Sequence, residues 1–220
     1  MRHLLRLAVA VLVTVLPATG FGVAPSNAGP VIDPTHTALL VMDMQQGIVA
    51  MSGASADPLT AHIAAAEQAV RQARSSVVFV RTAFTPGYPE VSPHNKAFAG
   101  IAGTGKMLDG SPETAFDPRI APAGDEPVIT KHRVGAFGST PLDRTLHARN
   151  IDTIVLTGLA TSGVVLSTVR AAADLDYHVV VLSDGVADTD PEVNRVLLDT
   201  VFPPQADVID TTEFIRELNP

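Results

Sequence analysis

Six short apolar runs rich in β-branched residues recur along this chain, and amphipathic stretches fall between them. The runs cover 37–44, which closes on Asp43, then 76–81, 127–130, 153–156, 178–182 and 207–209. Leu59, Ile63, Ala66, Val70 and Ala73 recur at helical spacing between the first two. Helix starts are legible because Asp57-Pro58, Thr140-Pro141 and Asp190-Pro191 each set a capping oxygen before a proline at the first helical position. Asp210 with Glu213 makes a fourth start, of capping-box type. Strands apolar on both faces and separated by amphipathic helices call for a parallel sheet covered on both sides. The expected fold is therefore α/β: a Rossmann-like three-layer α/β/α sandwich around a mostly parallel six-stranded sheet. At 220 residues the chain suits one substantial core and is short for two domains.

Residues 1–28 follow a different logic. Arg2 and Arg6 precede an apolar stretch over 7–16, which leads through Pro17 and Gly20 to the small-residue site Ser26-Asn27-Ala28. This is the layout of a secretory signal peptide cleaved after Ala28, so 1–28 is expected to be removed and 29–220 to form the domain of a secreted protein. The apolar run is too short to span a bilayer comfortably. With no cysteine, the exported chain has no disulfide framework and must rely on ordinary burial. Cleavage would leave 13 basic against 23 acidic residues, a net charge of −10. Such a surface repels nucleic-acid backbones and anionic membranes, so neither is expected as a partner.

The stretch 84–127 breaks the strand and helix rhythm. It is rich in proline, glycine and polar residues, with one short helical segment expected near 95–101. Connections of this length usually serve as lids or binding loops, so this one is expected to roof a site.

Ligand sites of open parallel sheets lie beyond the carboxyl ends of the strands, near the point where strand order reverses. Three candidates end there: Asp43 after the first run, Lys131 after the third, and the turn Leu159-Ala160-Thr161-Ser162-Gly163-Val164 after the fourth. A carboxylate after an apolar run is desolvated and becomes a better base or a more readily protonated acid, with Lys131 as a cation to offset the effect. On spacing alone, Asp43 as a loop cap and Lys131 as a surface lysine is an equal alternative. The helix after the turn is expected to bury Val164, Thr168, Ala171 and Leu175 and to expose Arg170 and Asp174. Its first turn has free N–H groups and a positive dipole end.

Over nearly the whole of 29–220 the chain resembles the isochorismatase-like cysteine hydrolases. The resemblance rests on Ala38-Leu-Leu-Val-Met-Asp-Met-Gln45, Lys131 with Phe137 and Thr140, and Gly158-Leu-Ala-Thr161. It continues through Ala171-Ala-Ala-Asp-Leu-Asp-Tyr177 and Val181-Leu-Ser-Asp-Gly-Val-Ala-Asp188. The resemblance implies Asp43 as general acid or base and Lys131 as the group that polarises the site. It also implies a cis peptide in the glycine turn, with the amides of Ala160 and Val164 cradling a developing oxyanion. The position three before Ser167-Thr168, usually the attacking cysteine in that family, is Val164 here. A saturated side chain cannot attack a carbonyl, so the covalent amidase route fails. One family branch hydrolyses the vinyl ether of isochorismate without a cysteine, using the aspartate as proton donor and water as nucleophile. Glycine stands at the nucleophile position in that branch, and valine narrows the pocket.

The expected activity is thus hydrolysis of a small carbonyl or enol-ether compound by Asp43 and Lys131, without a cysteine. An inactive binding or assembly module on the same fold is the alternative from another class. A third is an amidase using Ser162 or Ser167, for which no activating histidine is evident. Phe84, Tyr88, Arg133, Phe137 and Thr161 are the candidate substrate-binding residues. Arg81 and Lys96 are further candidate partners for a substrate carboxylate. His132 could titrate near neutral pH or touch substrate, and His94 is the other histidine near this region. The Asp-x-His zinc pair of related metal-dependent amidases is missing from 51–60, so no metal is expected. Glycine-rich nucleotide motifs and the Gly-x-Ser-x-Gly elbow are also missing, so no cofactor is expected. Members of that family often self-associate, so a homo-oligomer is a further expectation, although the low aromatic content marks no interface patch.

Overall fold

A computed structural model describes residue 30 and residues 32–218. The expected signal peptide, 1–28, lies outside the described residues. The elements in chain order are β1 (Thr37–Met42), α1 (Gln46–Val49), a 3-10 segment (Ala50–Ser55), α2 (Ala56–Gln72) and β2 (Ser76–Thr82). After the long connection come β3 (Val128–Lys131), α3 (Leu142–His147), β4 (Thr153–Leu159), a π-turn (Thr161–Val165) and α4 (Leu166–Ala173). The chain continues through β5 (His178–Ala187), α5 (Pro191–Val196), β6 (Asp207–Ile209) and α6 (Thr211–Leu218).

The six strands form one sheet in the order β3-β2-β1-β4-β5-β6, and every pair is parallel. Side-chain alternation divides the core between its faces. Leu39, Val41, Val77, Phe79 and Val155 pack with Ile63, Val70 and Phe214 of α2 and α6. Ala38, Leu40, Met42, Val78, Val80 and Leu156 pack with Leu142, Leu146 and Val169 of α3 and α4. Each fully buried Val, Leu, Ile or Phe contributes about 1.5–3 kcal/mol of transfer free energy, and both faces draw on that source. This is the three-layer arrangement that two-sided apolar strands require. Among the described residues, no helix is long and apolar enough to cross a membrane.

Three of the four expected capping oxygens accept from the N–H groups at their helix starts, although α3 begins one residue later than expected, at Leu142 with Pro141 before it. Asp190 Oδ1 accepts from the Glu192 N–H at 2.9 Å, Asp210 Oδ1 from the Glu213 N–H at 2.7 Å and Thr140 Oγ1 from the Leu142 N–H at 3.2 Å. Asp57 differs: the 3-10 segment runs straight into α2, so Asp57 falls within the first turn and pairs with Arg119 at 2.7 Å.

Other elements depart from expectation for identifiable reasons. β4 and β5 run on past 156 and 182 because pairing resumes beyond a register shift, with Gly158 opposite Val186 and Leu159 opposite Ala187. The polar Ser183-Asp184-Gly185 therefore marks a bulge rather than a strand end, and Asp184 is used there to accept from the N–H and hydroxyl of Thr211. Leu175, expected on the buried face of α4, is 44% exposed. α4 ends at Ala173, so Leu175 falls in the turn beyond the Asp174 cap, and the buried residues over 164–173 are Val164, Val165, Thr168, Val169 and Ala172. The helix expected near 95–101 is only the 3-10 turn Ala99–Ile101.

Candidate active site

The sheet reverses its strand order between β1 and β4, and the candidate site lies beyond the carboxyl ends of the strands on either side of that point. Parallel register brings the ends of β1, β2 and β3 together: Met42 is opposite Val80, and Thr82 is opposite Lys131. Asp43 follows immediately after β1 in a left-handed conformation at φ 56°, a region that aspartate tolerates better than most residues. Its N–H is held by the carbonyl of Val80 at 2.8 Å.

Asp43, Thr82 and Lys131 form a closed polar triangle. Lys131 Nζ lies 2.8 Å from Asp43 Oδ2 and donates to Thr82 Oγ1 at 2.7 Å, while the Thr82 hydroxyl donates to Asp43 Oδ1 at 3.1 Å. The third ammonium proton goes to the carbonyl of Arg133 at 3.1 Å. Lys131 is 1% exposed and Asp43 5%. Burial pushes the Asp43 carboxyl above the ordinary carboxylate range, with the Lys131 ammonium and the Thr82 hydroxyl opposing that shift.

Thr82 was not anticipated from sequence, and neither was the residue that fixes it. The Gln45 side chain is fully buried; its Oε1 accepts from the Thr82 N–H at 2.8 Å and its Nε2 donates to the Thr82 carbonyl at 2.8 Å and to the Thr114 carbonyl at 3.1 Å. One amide thus locks the end of β2 and pins the long connection to it. The sequence signal was Gln45 itself, a polar residue ending an apolar run two positions after Asp43.

The triangle floors a cavity of about 260 Å³. Leu159, Ala160, Gly163 and Val164 form one wall. The β4 end comes so close to β1 that a Cβ on Gly158, at φ +128°, would lie 1.9 Å from the Met42 carbonyl oxygen, so only glycine fits. The peptide bond Leu159-Ala160 is cis. In the first turn after it, the Ser162 N–H donates to Asp188 Oδ2 at 2.7 Å and the Gly163 N–H to the Ala160 carbonyl at 3.0 Å.

The connection between β2 and β3 roofs the cavity, as its length suggested. Phe98, Ile101 and Met107 line it from above, with Ile48, Met51 and Val134 at the sides. Backbone bonds hold the roof: Phe84 N–H to the Met107 carbonyl, Asp109 N–H to the Phe84 carbonyl and Asp117 N–H to the Met44 carbonyl, each at 2.9 Å.

Of the nine candidate site residues, Asp43, Lys131, Ala160 and Val164 meet at this cavity, and the five substrate-binding candidates do not line it. Phe84 stands behind the roof, with ring centroids 5.4 Å from Phe98 and 5.9 Å from Tyr88. The Tyr88 hydroxyl donates to the Lys106 carbonyl. Arg133 is exposed and donates to the backbone oxygens of Glu90 and His132. Phe137 packs on Tyr177 at 5.7 Å, and the Thr161 hydroxyl donates to Asn194 Oδ1 at 2.6 Å. These five were candidates by residue type and neighbourhood, and sequence does not say which way each side chain turns.

Arg81 pairs with Asp109 at 2.7 Å, His132 Nδ1 lies 2.7 Å from the Ala83 carbonyl oxygen, and Lys96 and His94 are exposed on the roof. Ser162 is also exposed, and neither it nor Ser167 nor any described histidine lines the cavity. Among the described residues, no group of three or more His, Cys, Asp or Glu is arranged to hold a metal ion.

Comparison with known proteins identifies the family and the fold. The isochorismatase domain family matches residues 37–213. An uncharacterized isochorismatase family protein of Bacillus subtilis, YwoC, is 32% identical over 187 residues, covering 85% of this chain and 96% of that protein. The ureidoacrylate amidohydrolase RutB of Methylobacterium radiotolerans is 31% identical over 192 residues, covering 77% of this chain and 74% of that one. An isochorismatase family protein of Burkholderia thailandensis superposes with a TM-score of 0.78 at 32% identity, over 88% of this chain and 100% of that one. A cysteine hydrolase of Pseudomonas syringae pv. phaseolicola gives 0.79 at 26% identity, over 86% and 94%.

Proposed function

The chain belongs to the isochorismatase family, and from that premise we propose that it hydrolyses a small carbonyl or enol-ether compound without a covalent intermediate. The observation that carries this reading is the buried contact of Asp43 with Lys131 on the floor of a roofed cavity. Burial raises the Asp43 carboxyl, which makes it a stronger base than a solvated carboxylate.

For an amide or ester, Asp43 takes a proton from water as the water oxygen bonds to the carbonyl carbon. The amides of Ala160 and Val164 hold the oxyanion, and the proton then passes to the leaving nitrogen or oxygen as its bond to carbon breaks. Donors placed in this way contribute about 3 kcal/mol each to transition-state stabilisation. For an enol ether the order reverses. The minor, protonated form of Asp43 delivers its proton to the terminal alkene carbon, water adds to the oxocarbenium carbon and returns a proton to the Asp43 carboxylate, and collapse of the hemiketal yields an alcohol and a ketone. Lys131 holds Asp43 in place and balances its charge whenever the carboxylate is ionised.

Val164 favours one rival reading, a binding module that kept the fold and lost the nucleophile. Thermal-shift screening of small amides, esters and enol ethers, followed by product analysis of every hit, separates the two. Conversion that is lost in Asp43→Asn supports hydrolysis; stabilisation without conversion across the hits supports the binder. Export through 1–28 and action on a small molecule outside the cytoplasm belong to the same proposal.

A further inference from the structure

The cavity has a charge balance that restricts what can enter it. Lys131 is the only cation among its lining residues, and Asp43 neutralises it at 2.8 Å. An ammonium has three protons to donate, and these go to Asp43, Thr82 and the Arg133 carbonyl, leaving none for a ligand. Because the Thr82 oxygen accepts from Lys131, its own proton goes to Asp43. Both Asp43 oxygens therefore accept hydrogen bonds, which is the arrangement of an ionised carboxylate.

The nearby arginines do not change this balance. Arg81 is turned to Asp109 and Thr130, Arg133 donates to the backbone oxygens of Glu90 and His132, and neither lines the cavity. The walls above the triangle are apolar: Ile48, Phe98, Ile101, Met107, Val134 and Val164. Met51 extends the apolar surface to the mouth, where it is 69% exposed. An anion entering here would give up its water for no free donor side chain, with only the backbone amides of Ala160 and Val164 to receive it, and it would meet the Asp43 charge.

We infer that the cavity selects an uncharged substrate, a small amide, ester or enol ether with an apolar body and one polar head, and turns carboxylates away. This rests on the reading of the cavity as the active site. The polar head faces the triangle and the glycine turn, while the body packs against the roof from Phe98 to Met107.

Matched pairs test it: benzamide against benzoate, and cyclohexanecarboxamide against cyclohexanecarboxylate, measured by titration calorimetry on the purified chain near neutral pH, where both acids are ionised. Each amide should bind at least about tenfold more tightly than its acid, a difference of about 1.4 kcal/mol. In Asp43→Asn the Lys131 charge loses its counter-ion, and the acids should gain on the amides. Ile101→Arg, on the roof and away from the ion pair, should draw the acids in likewise and serves if the first variant folds poorly. Acids that bind the unaltered chain as well as the amides overturn the inference, as does a failure of all four compounds to bind. Failure of the hydrolase reading looks different: the amides bind with the stated preference, and no neutral amide, ester or enol ether is converted.

Discussion

Lys131 Nζ stands 2.8 Å from Asp43 Oδ2, and each side chain is less than a tenth exposed. The two residues are far apart in sequence and meet because β1, β2 and β3 are consecutive neighbours in the sheet and end at the same level. Taking both charges out of water is costly, and the hydrogen bonds through Thr82 and the Arg133 carbonyl offset part of that cost. A pair held in this way is more easily explained by chemistry than by stability, since buried ion pairs are weak stabilisers.

Thr82→Val tests the third corner. Valine keeps the shape and removes the hydroxyl that joins Lys131 to Asp43. Leaving a buried donor and acceptor unpaired costs about 1–3 kcal/mol, read from chemical denaturation. Loss of orientation at Asp43 should lower kcat by about a hundredfold, with little change in KM. An unchanged kcat would show that Thr82 is only a structural neighbour.

Val164→Cys places a thiol in the wall of the cavity, in a chain that otherwise has none. The volume change is small, so the stability cost should stay below about 1.5 kcal/mol. A position in the opening turn after the cis peptide, where free N–H groups and the helix dipole favour a thiolate, should make the thiol alkylate in the native state, with a midpoint below about pH 8.5. Intact-mass measurement after iodoacetamide reads the outcome; a thiol that reacts only after unfolding contradicts the placement of Val164.

Glu67 gives a prediction about pH and stability. It is 2% exposed on α2, one carboxylate oxygen has no hydrogen-bond partner, and burial pushes its carboxyl up to about 7 despite Arg71 at 3.0 Å. Between the ordinary glutamate value of 4.5 and about 7, the folded chain keeps a proton that the unfolded chain releases. Its contribution to stability is therefore complete at acidic pH, falls as pH rises through that window and levels off above it. Glu67→Gln should flatten this dependence, raising Tm more in mildly alkaline buffer than in mildly acidic buffer. A uniform shift in Tm across pH would contradict the assignment.

The expected export predicts that the secreted chain begins at Gly29. Edman degradation or intact-mass measurement of protein recovered from the medium checks this. A recovered chain still carrying Met1, or found only in the cell, contradicts it.

The sheet was legible because two-sided apolar runs and helix caps such as Asp190-Pro191 are local signals. Asp43 and Lys131 were legible because each polar residue ends an apolar run, where a parallel sheet places its ligands. Thr82 gave no comparable signal, since a threonine at the end of a β-branched run reads as one more strand residue. The five substrate-binding candidates failed to reach the cavity for a related reason. Phe84, Tyr88, Arg133 and Phe137 sit in irregular backbone whose side-chain directions depend on loop bonds such as Phe84 N–H to the Met107 carbonyl. Leu175 was misplaced because α4 stops at Ala173, two residues before the apolar period runs out.

Asp43→Asn addresses the central claim most directly. The substitution leaves Lys131 buried without its counter-charge, so a loss of about 3 kcal/mol is expected. The variant must therefore be assayed well below its own Tm, on a neutral substrate converted by the unaltered chain. The account predicts that kcat/KM falls by at least about a thousandfold, some 4 kcal/mol of transition-state stabilisation. A folded Asp43→Asn chain that retains most of the original kcat/KM would contradict it.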